Sequence, residues 1–143
     1  MKKVKFHKSN PREQIFPRGT KKQLQVGDCV VRAIVHVTGY SYKKVFRDLT
    51  EYAMHHPTCQ PINFQDVYDD YIKEMLGGVK CKPRRKADGK TYKVNRFPAS
   101  AGEIYIIKTT KHLTAIVEGL HLDSWNCGEW RANTYWKIDK DSL

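Results

Sequence analysis

The sequence predicts an α+β fold: helices in the first half, then a small antiparallel sheet. Two changes of pattern say so. Between residues 28 and 76 the apolar side chains recur at three and four, the spacing of a helix face. From residue 103 onward they fall in short runs rich in β-branched and aromatic residues, separated by turn residues. A chain of 143 residues suits one domain with one core. Helices segregated from an antiparallel sheet define the class.

Residues 1–22 read as a basic, extended N-terminal arm, polar and punctuated by Pro11 and Pro17. Residues 23–143 read as a single domain. Asp28 suits the N-cap of a first helix, with Val30, Val31, Ala33, Ile34 and Val37 as its buried positions and Gly39 as its stop. Ser41 suits the cap of a second helix, on which Tyr42, Val45, Phe46, Leu49, Tyr52 and Ala53 form a stripe. Asn63 suits the cap of a third, with Phe64, Val67, Tyr68, Tyr71, Ile72, Met75 and Leu76 on one face. Gly77-Gly78 ends it. Glu103–Lys108 reads as a strand. His112–Glu118 and His121–Trp125 flank a turn at Gly119, a hairpin signal. Thr134–Ile138 is the last expected strand.

Composition narrows the function classes. An apolar content of 40% and an aromatic content of 11% exclude wholesale disorder. No run approaches the roughly 18 apolar residues of a membrane span, and the basic N-terminus lacks the apolar stretch of a secretory signal. The expectation is a soluble, cytoplasmic protein without a membrane partner. The four cysteines, Cys29, Cys59, Cys81 and Cys127, form no CxxC pair. In a reducing cytosol they are expected as free thiols, which leaves packing or catalysis as their roles. His55, His56 and Cys59 (HHPTC) match no complete metal site, and Pro57 breaks the helix there, so neither metal nor cofactor is expected.

The net charge of +11 is unevenly placed. Residues 1–22 and residues 80–96 each carry a net +7, and the remainder is −3. The second segment holds Lys80, Lys82, Arg84, Arg85 and Lys86. Such segments suit nucleic acid or an acidic protein surface, and equally suit a solvated tail and loop. Aromatics near the loop are few, Tyr92 and Phe97, so base stacking has little support.

Cys29 carries the sharper question. A thiolate nucleophile needs a lowered pKa, a base within reach and donors for a developing oxyanion. A helix N-terminus offers positive potential and free N–H groups, and Cys29 follows the expected cap. Asp28 partly opposes that field. If the hairpin turn centres on Glu118–Gly119, or one residue later, His112 and Asp123 lie on neighbouring strands one or two positions out of register. An Asp accepting from one imidazole nitrogen leaves the other for the thiol. Asn126 is the rival orienter. His121 is expected on a different face from the Asp123 neighbourhood and receives no role. Cys127 reads as packing or as a second reactive thiol, and Trp125 and Trp130 as core or cleft-wall aromatics.

These residues resemble the papain-like cysteine peptidases, including the bacteriocin-processing branch. Gln23 stands six residues before Cys29, as does the family's oxyanion-hole Gln. Gly27-Asp28-Cys29 matches the Asp that often precedes the nucleophile in that branch. HLTAIVEG at 112–119 is similar to the apolar strand opened by the family's catalytic His. Asp123-Ser124-Trp125 through Trp130 resembles the segment that bears the third triad residue, and TYWKI the final strand. Val30 departs from the usual small residue, and the stretch from Cys to His is short. Small proteins of this layout also resemble phage-encoded ones, whose place is the host cytoplasm. The resemblance implies a cofactor-free thiol hydrolase of peptide, isopeptide or side-chain amide bonds. Cys29 would be the nucleophile, His112 the base, Asp123 the orienter and Gln23 an oxyanion donor. A binding protein that keeps the fold without catalysis, acting through the basic arm and loop, is the other reading.

Overall fold

A computed structural model describes residues 3–14 and 28–143. Three helices and six strands make an α+β domain. Helix α1 (Asp28–Thr38) buries Val30, Val31, Ala33, Ile34 and Val37. Gly39, at φ 76°, then takes the left-handed conformation that turns the chain out. In α2 (Tyr42–Met54) the Ser41 hydroxyl accepts from Lys44 N–H, the expected cap. α3 (Gln65–Leu76) starts one residue later than an Asn63 cap implies. Phe64 holds the cap position with extended backbone and no side-chain cap. The left-handed Gly77 (φ 67°) closes α3, and Gly78 N–H donates back to Ile72 O.

The strands are β1 (Lys5–Lys8), β2 (Val79–Cys81), β3 (Ile104–Lys108), β4 (Leu113–Val117), β5 (Leu120–Asp123) and β6 (Tyr135–Ile138). They form one sheet in the order β1-β5-β4-β3-β6-β2. All pairs are antiparallel except β1 with β5, which is parallel. The expected antiparallel sheet is therefore mixed, and one strand precedes the helices. The reason lies in β1 itself. Only Phe6 of its four residues is half-buried, packed on the His121 ring at a centroid distance of 5.2 Å. One apolar residue in a polar, basic stretch gives no alternation to read. β2 has three residues and adds an outer edge beside β6.

The β4–β5 turn holds Glu118 at φ 51° and Gly119 at φ 84°. Two successive left-handed residues match the twist of a two-residue hairpin. The sheet buries both faces. Ile104, Ile106, Leu113, Ala115, Trp136 and Ile138 pack with the helices. Tyr105, Ile107, Ile116 and Tyr135 pack on the other side with Val4, Val94, Phe97 and Ala132. This is why β3 is apolar at successive positions rather than alternating. α1 lies against β4, which brings the first turn of the helix to the strand that His112 precedes. Among the described residues no helix is long and apolar enough to cross a membrane.

Candidate active site

Cys29 is the second residue of α1 and is partly exposed. It lies near enough to His112 that the imidazole side chain helps to lower the Cys29 pKa. His112 is buried immediately before β4, and its Nε2 lies 2.6 Å from Asp123 Oδ2 at the end of β5. With Nε2 facing Asp123, Nδ1 is the ring nitrogen left for the thiol. The β4–β5 register pairs Ala115 with Leu122. His112 and Asp123 are thus two positions out of register on one face, within the range the sequence allows.

Asp123 is 2% exposed and densely satisfied. Thr114 Oγ1 donates to its Oδ2 at 2.7 Å, and Ser124 N–H donates to its Oδ1 at 2.7 Å. The Arg32 guanidinium lies 3.9 Å from Oδ1. Burial pushes the Asp123 carboxyl up, but the His112, Thr114 and Ser124 bonds outweigh it and hold the group below its ordinary value.

The same balance sets the other two groups. Burial pushes the Cys29 thiol up; the His112 hydrogen bond, a backbone bond with Leu113 and the His112 charge pull it down further, so the net shift is downward. Burial pushes His112 down, and its bonds to Asp123, Cys127 and Cys29 reverse this, raising it to about 11. A thiol shifted down beside an imidazole shifted up favours the thiolate–imidazolium pair.

Beneath the site lies a buried polar layer. Arg32 pairs with Asp28 one turn earlier on α1, and the Tyr42 hydroxyl donates to Asp28 Oδ1. Arg32 thus ties the helix that bears Cys29 to the strand that bears Asp123. Its signal was legible, since an Arg four residues after an Asp within an apolar helix marks a buried pair. Thr114 also escaped the sequence reading. Its hydroxyl has a single proton, which goes to Asp123, so at 2.8 Å it accepts from His121 Nε2. That fixes His121 as the Nε2–H tautomer, and burial pushes its pKa down to about 4. His121 therefore shares the face of Asp123 rather than avoiding it, because residues two apart on a strand point the same way.

Trp125 stacks on the His112 ring at 4.9 Å between centroids, and Trp130 meets Trp125 edge-on at 5.3 Å. Both indoles are about two-fifths exposed and form a wall rather than core. On the opposite flank a cleft of about 460 Å³ opens, lined by Cys29, Tyr68, Lys108, Lys111 and His112 among others. Val30 also lines this cleft and leaves it open.

The remaining sequence candidates separate. Asn126 is exposed, and its Oδ1 accepts from Gly128 N–H, so Asp123 and not Asn126 meets His112. Gln23 lies outside the described residues. In the basic segment, Lys80 pairs with Asp69 and Lys86 with Asp88. Arg84 turns inward, bonding Tyr135 Oη at 2.8 Å and Pro98 O at 2.6 Å. Lys82 and Arg85 are exposed. Among the described residues the one grouping that could hold a metal ion is His112, Asp123 and Cys127, with ligand atoms within 4.8 Å of one another. In HHPTC, His56 is held by Asp70 and Thr58, each at 2.7 Å. Compared with protein-family models, curated proteins and solved structures, the chain matches none.

Proposed function

We propose that the chain is a small thiol hydrolase of the papain-like type, cleaving a peptide, isopeptide or side-chain amide bond. The observation that carries this reading is the Cys29–His112–Asp123 grouping, with His112 Nε2 2.6 Å from Asp123 Oδ2 and the partly exposed Cys29 lining the same cleft as His112. The Cys29 thiolate attacks the amide carbonyl. The tetrahedral oxyanion is held by the Cys29 backbone N–H at the start of α1, with Gln23 as the expected second donor. Imidazolium His112 gives its proton to the leaving amine, and a thioester remains. Water then attacks the thioester, with neutral His112 taking its proton, and the carboxylic acid and free thiol are released. Asp123 keeps the ring oriented through both halves.

The test is the rate of Cys29 alkylation by iodoacetamide from pH 4 to pH 9, read by peptide mass spectrometry beside Cys59 and Cys81. Ordinary thiols titrate near 8.5. Cys29 should react well below neutral pH, and His112→Ala should abolish this. If Cys29 titrates with the ordinary thiols, the hydrolase reading fails. The basic arm and loop, as binding elements for nucleic acid or an acidic protein, then become the function to pursue.

A further inference from the structure

The cleft beside Cys29 has a sign. Its lining comprises Cys29, Val30, Asn63, Gln65, Tyr68, Lys108 and residues 110–113. Two of these are lysines, and none is acidic. Lys108 Nζ donates to Gln65 Oε1 at 2.9 Å, which holds its ammonium at the rim. Lys111 is exposed directly before His112 and makes no ion pair among the described residues. Asp66 adjoins Gln65 in sequence but does not line the cleft.

A cation beside a catalytic imidazole carries a cost, because it disfavours the imidazolium that the mechanism uses. An anionic group in the cleft removes that cost and gains a counter-ion. Some surface lysines are paired, Lys44 with Asp48, Lys93 with Glu129, Lys137 with Glu103 and Lys140 with Glu118, while Lys43, Lys73 and Lys82 are, like Lys111, exposed without an ion pair among the described residues. Lys111 differs in facing the one space that a substrate of Cys29 must enter. The chain's net charge of +11 attracts acidic partners at longer range.

Resting on the hydrolase reading, we propose that this cleft receives an acidic side chain of the substrate. An Asp or Glu within a residue or two of the scissile bond is paired by Lys111, with Lys108 at its side. Lysine suits this role, since an ammonium is a point charge that demands no fixed fork of acceptors. The pair is formed across a partly solvated cleft, so it selects by a modest factor rather than absolutely.

The probes are peptidyl chloromethyl ketones that differ in Glu, Gln or Lys, placed in turn at the first and second residue before the ketone. The full chain is used, and the second-order rate of Cys29 labelling is read by intact mass. Labelling should fall in the order Glu, Gln, Lys at one of the two positions, each step roughly two- to fivefold as for partly exposed ion pairs. Lys111→Glu should invert the order, and raised salt should flatten it in the parent chain. Labelling that is brisk but indifferent to probe charge, or an order that survives Lys111→Glu, overturns the acidic preference and leaves the hydrolase standing. Failure of every probe to label Cys29 removes the hydrolase reading, and the preference with it.

Discussion

The Arg32 guanidinium stands 3.9 Å from Asp123 Oδ1 while also pairing with Asp28. One buried cation therefore serves two carboxylates that lie on different elements. Burial lowers the Arg32 pKa, and the Asp123 charge works against that shift. The pairing links α1 to the end of β5, and so the element that bears Cys29 to the carboxylate that holds His112.

Arg32→Met tests this link. It removes the cation that Asp28 and Asp123 share but leaves Asp28 facing Arg12 at 4.0 Å and Asp123 bonded to His112, so the cost should fall at or below the roughly 3–5 kcal/mol of a broken buried pair. The expected result is a lower urea midpoint with an unchanged slope. Adding Asp28→Asn should recover part of the loss, because one stranded charge is then removed. A midpoint unchanged in Arg32→Met would mean that the carboxylates find other partners.

Asp123→Asn addresses the His112 charge state. The substitution removes the leading cause that raises His112, so the imidazolium should be lost at lower pH. On the proposed hydrolase reading, any amide-cleaving activity should fall by about 10²–10⁴-fold, the usual share of acid–base assistance. Its alkaline limb should move towards neutrality. Asp123 has a depressed folded pKa, so its contribution in the parent is present above the unfolded value and lost as pH falls through the folded one. His112, raised to about 11, contributes fully below its unfolded value and loses this as pH climbs through the folded one. Urea midpoints at pH 3, 7 and 10 should dip at both ends in the parent and flatten in the variant.

Thr114→Val isolates one hydroxyl. It leaves His121 Nε2–H with only the Cys127 sulfur, 3.4 Å away, and removes a donor from Asp123, at a cost of about 1–3 kcal/mol. The Asp123 pKa should rise, and the acid loss of stability should begin at a higher pH. Carboxylate titration by carbon-detected NMR reads this directly.

Much of the fold was legible because it was written in periodicity. α1 ends at Gly39 and α2 begins after Ser41 as implied, and the hairpin turns on Glu118–Gly119, while Asp28 is itself helical and turns its carboxylate to Arg32 and Tyr42 rather than to a cap. The site was legible for a related reason. His112 and Asp123 flank a short turn, so a two-residue hairpin brings them together with little freedom. What escaped was non-local. The β1–β5 pairing joins residues far apart in sequence, and β1 has almost no apolar signal. The Phe64 cap escaped because it uses no capping side chain, and nothing in Asn63 itself says that it will be left outside. The Arg32 link spans a helix and a strand, so half of it, the Asp28 pair, is visible in the sequence and the other half is not.

The parallel pairing of Lys5–Lys8 with Leu120–Asp123 has a consequence for the order of events during synthesis. β1 is synthesised well before β5 and must wait for it. At translation speeds of 5–20 residues per second that interval is roughly 6 to 23 seconds. Cys29 emerges early, while the base and its orienter follow only with β4 and β5. A nascent chain thus carries a thiol with no imidazole beside it. That thiol gains the His112–Asp123 pair beside it only when the strand carrying Asp123 docks between β1 and β4.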